Sequence, residues 1–189
     1  MKKRLVLLSI FVLSLALFVI SGVTIAYLID TSATITNIFD PQNIDVELVE
    51  TTTTYKMIPG CKVDKDPVVS IDTDIACYVF IEIKETSNIW DSNIVVDWKS
   101  NIDTDWNQVP GQSNVYYREI AANVNTSFAV FTGNKVDISN HITKEYMDGL
   151  ENLSIPKPVI TITAYATQKL KDASNSFTPA EAWALVTTS

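Results

Sequence analysis

Cys61, Cys77 and the lone histidine His141 are the residues of this chain best suited to covalent or proton-transfer chemistry. The cysteines lie 16 positions apart. In an oxidising exterior they could pair, closing a loop worth about 3 kcal/mol on a chain-entropy estimate. The same spacing fits two separate buried thiols, and both readings stand. His141, between Asn140 and Ile142, reads as a loop or helix-start residue. One histidine and no second cysteine pair leave no zinc set to expect. The chain has neither a G-x-S-x-G elbow nor an HExxH helix, and its 5 glycines are too few for a phosphate-cradling loop. Asp64/Asp66, Asp72/Asp74 and Asp103/Asp105 carry the oxygens calcium prefers, yet none sits in the twelve-residue loop with its glycine and closing glutamate. They read as solvated turns. Trp90, Trp98 and Trp106 recur at eight-residue intervals, as core or as a platform for sugar rings. No catalytic, cofactor or metal site is expected, and the chain does not read as an enzyme.

Short strands must hold these side chains. Residues 43–54 alternate Ile44, Val46 and Leu48 with Asp45, Glu47 and Val49, the period of a half-buried strand. Residues 77–85 set Cys77, Val79, Ile81 and Ile83 against Tyr78, Phe80, Glu82 and Lys84. Residues 68–71, 94–98, 115–120 and 128–131 are shorter strands, and 158–168 is a last long one rich in β-branched residues. Pro59-Gly60, Pro110-Gly111 and Gly133-Asn134 mark turns between them. Two brief helices are expected, over residues 143–150 and from Thr178 onward. In the second, Thr178 caps, Pro179 takes the first turn and Glu181 completes a capping box. Ala182, Trp183, Leu185 and Val186 would pack that helix onto the sheet. Spaced strands without long helices predict an all-β fold, an antiparallel two-sheet sandwich in a single domain over residues 27–189.

The N-terminus is an export signal. Lys2, Lys3 and Arg4 precede an unbroken apolar run over residues 5–20. Thr24 and Ala26 then supply the small −3 and −1 side chains that a signal peptidase requires, which places cleavage between Ala26 and Tyr27 and makes residues 1–26 the signal peptide. The uncharged stretch 5–29 is also roughly 37 Å long as a helix, enough to anchor an uncleaved chain in a membrane. The position of the small residues, at the end of the apolar run, favours cleavage. The net charge of −8 would become −11 once the three basic residues of the signal are removed. Such a surface repels phosphate backbones and anionic headgroups, so neither nucleic acid nor a membrane beyond the signal segment is an expected partner.

Residues 26–48, AYLIDTSATITNIFDPQNIDVEL, resemble the start of the TasA/camelysin family of Gram-positive surface proteins. The resemblance rests on Ala26, Tyr27, Asp30, Thr31, Thr36, Asn37, Phe39, Val46 and Leu48. Met57-Ile58-Pro59-Gly60, Lys65-Asp66-Pro67-Val68-Val69 and residues 77–84 are similar to the family's following turn and strands. Ala164 to Gln168 and Ala180 to Trp183 are similar to endings of its small members. The resemblance implies a signal peptidase of the SipW type and a jelly-roll-like sandwich. It also implies a place in extracellular fibres or biofilm matrix, through self-association or with related subunits. Asp40-Pro41 departs from the family's small-residue turn, and the cysteines are not a family hallmark.

A physical reading of the same region stands beside the resemblance. Residues 27–39 are apolar and threonine-rich and would follow a new terminus. Such a segment can add to an exposed sheet edge of another subunit, with Leu28, Ile35, Ile38 and Phe39 as anchors. It can equally be the first strand of its own sheet. A monomeric adhesin or glycan-binding module, using the tryptophans and acidic loops, is the alternative reading.

Overall fold

The computed structural model describes residues 42–188. The export signal, the cleavage residues Thr24, Ala26 and Tyr27, and the donor anchors Leu28, Ile35, Ile38 and Phe39 lie outside the described residues. The chain divides into two compact units, Met1–Asp40 and Pro41–Ser189. No helix of the described residues is long and apolar enough to cross a membrane.

The described unit is an antiparallel β-sandwich with two short α-helices. β4 (Cys77–Thr86) is its central strand, pairing along its whole length with β12 (Val159–Gln168) and over six residues with β9 (Val115–Ile120). The two-residue β8 (Asn107–Gln108) completes the order β12-β4-β9-β8. A second sheet is β1-β3-β10, from β1 (Ile44–Val49), β3 (Val68–Thr73) and β10 (Val124–Ala129). A third, β2-β11-β7, joins β2 (Lys62–Asp64), β11 (Lys135–Ile138) and β7 (Val96–Asp97). β5 (Ile89–Trp90) and β6 (Asn93–Ile94) form a hairpin whose turn residues Asp91 and Ser92 both have positive φ, the geometry that fits a right-twisted ribbon. Inward residues of the three larger sheets meet in one core: Val69 and Ile71, Val79, Ile81 and Ile83, Val96, Val136 and Ile138.

The alternation read over 77–85 is present, but neither face of its first half is solvated. Cys77, Val79, Ile81 and Ile83 face the sandwich core, while Tyr78 and Phe80 face a second apolar cluster with Val109, Val115, Ala182 and Trp183. α2 (Pro179–Thr188) covers that outer face. Its capping box forms as the residue types dictate: Glu181 N–H donates to Thr178 Oγ1 at 3.3 Å, and Thr178 N–H donates to Glu181 Oε2 at 2.8 Å. Trp183 then reaches Phe80 and Tyr165 at ring-centroid distances of 5.5 and 5.4 Å. Leu185, expected against the sheet, is instead 42% exposed. The other helix, α1 (Lys144–Glu151), is capped by Thr143, whose hydroxyl accepts from Tyr146 N–H, and it buries Tyr146 and Leu150.

Other boundaries move. β1 stops at Val49, so residues 50–54 are loop rather than strand. The run 94–98 breaks into β6 and β7 because the Asn88 amide clamps the backbone of Val96, accepting from its N–H at 2.7 Å and donating to its carbonyl at 2.9 Å. The strand read at 128–131 starts four residues earlier and ends two earlier, at Val124–Ala129.

Phe80 is fully buried and ringed by Tyr78, Tyr117 and Trp183. Phe80→Ala is expected to cost about 3–5 kcal/mol in chemical denaturation, and Thr178→Ala about 1 kcal/mol through the lost cap.

Candidate functional site

Among the described residues, the edges of the sheets are where backbone donors and acceptors are left without a ladder partner. An edge strand presents unpaired backbone donors and acceptors, which folded proteins shield by shortness, charge, proline or a covering element. β2, β7 and β8 have three, two and two residues and are shielded by shortness. β1 and β12 run alongside each other with Cα atoms within 8 Å and no ladder between them, too close for a third strand to enter. β1 also carries Asp45 and Glu47 outward. That leaves β10.

β10, sequence VNTSFA, pairs with β3 on one side through all six residues. Beyond that ladder, the backbone of residues 124–128 makes no hydrogen bond among the described residues. The strand holds no charge and no proline. Val124, Thr126 and Phe128 are half-buried, and Asn125 and Ser127 are exposed. The neighbouring β9 is open in part as well: β8 pairs only with Tyr116 and Tyr117, so Arg118, Glu119 and Ile120 have a strand on one side alone. Asn123, in left-handed conformation at φ +58°, turns the chain from β9 into β10.

A groove of about 600 Å³ runs between the two strands, lined by Tyr117, Arg118, Ile120, Val124, Thr126 and Phe128. Arg118 fixes its shape. The guanidinium lies 4.5 Å from the Phe128 ring and 4.9 Å from the Trp106 ring, and Nη2 donates to Asp103 Oδ1 at 2.7 Å. Nη1 reaches Asp105 Oδ2 at 3.4 Å. Trp106 in turn donates through Nε1 to the Ala129 carbonyl at 2.9 Å, tying the end of β10 to the 103–106 turn. β10 is therefore an edge laddered to β3 on one side and, among the described residues, open on the other from Val124 to Phe128, with Trp106 on the Ala129 carbonyl at its end.

The residues singled out for chemistry are placed elsewhere. Cys61 and Cys77 are both free thiols. Of the two readings left open, the structure has the separate thiols, and they belong to different sheets. Cys61, exposed, precedes β2, and its carbonyl accepts from Ile138 in the β11 sheet. Cys77 opens β4 between Gln168 and Ile120 and is fully buried, which pushes its thiol pKa up. The tryptophans are packing residues, not a platform. Trp98 and Trp106 are buried, and half-buried Trp90 lies 4.7 Å from the Tyr146 ring. His141 is exposed in a turn, its N–H donating to Ser139 Oγ.

The Asp-x-Asp pairs hold turns and ion pairs: Asp64 with Lys135, Asp66 with Thr51, Asp74 with the Asn43 N–H, and Asp103 with Arg118. Among the described residues no group of three or more His, Cys, Asp or Glu could hold a metal. Sequence reasoning missed β10 as a site, although Val124, Thr126 and Phe128 alternating with Asn125 and Ser127 after Asn123 carry the strand signal. Comparison with protein-family models, curated proteins and solved structures finds no match to this chain.

Two predictions follow from these placements. In the native full chain, Cys61 is expected to react with an aromatic disulfide reagent at once and Cys77 only after denaturation. Two thiols that stay unreactive until a reductant is added to the unfolded chain would restore the bridge. The second prediction concerns acid. Burial alone would raise Glu85, but hydrogen bonds donated by Asn88 Nδ2 and Trp98 Nε1, each 2.8 Å, hold it below its ordinary 4.5. Asn101 and Lys62 lower Asp137 in the same way. A depressed folded-state pKa stabilises the fold above the unfolded value and loses that contribution as pH falls through the folded one. The urea midpoint should therefore drop as pH falls below 4.5, and less steeply in Glu85→Gln than in the wild type.

Proposed function

We propose that the chain is an exported structural protein of the cell surface or extracellular matrix, one that assembles by β-strand addition after its signal peptide is removed. In this reading residues 27–39 of one copy, anchored by Leu28, Ile35, Ile38 and Phe39, pair with β10 of the next. The observation that carries it is the edge itself: uncharged, free of proline and, among the described residues, without an outer partner over residues 124–128. The donor segment fits it in kind, since its only charged residue is Asp30 and it alternates threonine and serine with apolar side chains. The resemblance of residues 26–48 to the TasA/camelysin family supports the same role, including processing by a SipW-type peptidase and a biofilm or fibre setting.

β1, which residues 27–39 precede in the sequence, and the acceptor β10 are the two edges of one sheet, with β3 between them. A contact that joins unlike patches does not saturate itself and extends into an open filament. The buried tryptophans remove the platform on which a glycan-binding reading would rest.

N-terminal sequencing of protein from culture supernatant and cell fractions should find a chain starting at Tyr27. That form should sediment as polymer. Asn125→Lys/Ser127→Lys, which alters two exposed side chains of β10, should keep the thermal midpoint and leave the protein monomeric. A wild-type mature chain that stays monomeric at high concentration, or a double variant that polymerises equally well, contradicts the proposal.

A further inference from the structure

A second feature lies away from β10. A cleft of about 760 Å³ opens between the inner face of the β2-β11-β7 sheet, α1, the start of β12 and the loop after β1. Its volume falls in the range of about 300–1,000 Å³ typical of small-molecule sites. Val63, Val136, Ile138 and Leu150 line it with apolar surface, and Met57 and Met147, both half-buried, supply flexible walls.

The charges at its mouth are unusual for this chain. Among the described residues nearly every cation is already engaged. Lys62, Lys65, Lys84, Lys135, Lys144, Lys169, Lys171 and Arg118 lie within ion-pair distance of carboxylates, and Lys99 sits over the Trp98 ring. Lys56 and Lys157 have neither kind of partner, and both line this cleft. Lys65 also borders it, but its ammonium is spent on Glu50 Oε1 at 2.8 Å and on the Tyr55 ring. Of the two acids at the rim, Asp148 is paired with Lys144, which leaves Glu151 at the end of α1. In an acidic protein, two unmatched positive charges beside an apolar cavity select an anion with an apolar body.

We propose that this cleft binds a long-chain fatty acid, with the acyl chain over Val136, Ile138 and Leu150 and the carboxylate at the lysine-bearing mouth. A peptide strand is the poorer occupant. The cleft is floored by inward side chains of β2, β7 and β11, so it offers a sheet face and no free ladder. An acyl chain needs only dispersion contacts and exclusion of water, which this lining provides. The assignment is independent of strand addition at β10.

The test is photo-crosslinking of the full chain with a sixteen-carbon fatty acid carrying a diazirine near its methyl end, with labelled peptides mapped by mass spectrometry. Saturable labelling of the peptides bearing Met57 and Met147 is expected. Lys56→Gln/Lys157→Gln should lower it about three- to tenfold, the change carried by two partly exposed ion pairs. Both lysines are exposed, so the double variant should keep the wild-type thermal midpoint. The corresponding neutral alcohol should label wild type and variant alike, and salt should weaken labelling by the acid alone. Labelling confined to the apolar N-terminal segment, or unchanged in the double variant, overturns the proposal. So does displacement of the fatty acid by a peptide of residues 27–39, which would assign the cleft to a strand.

Discussion

The first five residues of β4, Cys77–Ile81, have no face to give to water. Cys77, Val79, Ile81 and Ile83 need the sandwich core on one side, and Tyr78 and Phe80 need cover on the other. That double demand organises the unit. The chain must return as β12 along the full length of β4, and then run on far enough to lay α2 across its outer face. The capping box of Thr178 and Glu181 fixes where that helix starts, and so where Ala182 and Trp183 fall relative to Phe80.

With β4 central, the sheets have to end somewhere else. Two solutions to the edge problem appear side by side. Strands of two or three residues offer little to pair with. β1 and β12 shield each other by proximity. β10 is left with neither device, and its neighbours make it firmer rather than cover it: Arg118 stacks on Phe128, and Trp106 binds the Ala129 carbonyl. A bare edge on a rigid support is a good template for an incoming strand, because little ordering cost falls on the acceptor. The net charge of −8 opposes non-specific association of whole molecules through such an edge.

Local signals in the sequence were the readable ones. The second helix, with its cap, its proline and its glutamate, depends on residues three apart and is found as expected. β9 matches its predicted limits, and β12 begins one residue later than read, because β-branched alternation is also local. What depends on a partner was not readable. β2 and β8 are strands only because β11 and β9 lie beside them. Apolar Val130 and Phe131 drew the reading of β10 downstream, whereas its ladder is set by register with β3. That Cys61 and Cys77 belong to different sheets is likewise a property of the assembled fold. The absence of charge in β10 was visible from the start; that this strand is an edge was not, since edges are a property of the assembled sheets.

Hydrogen–deuterium exchange of the mature protein, compared between monomer and assembled material, tests the central claim most directly. The account predicts that the outward amides of β10, Asn125, Ser127 and Ala129, exchange faster in the monomer and gain protection on assembly, while β4 is protected in both states. Assembly that leaves Val124–Ala129 unchanged, or a monomer in which every amide of that strand is already protected, would contradict it.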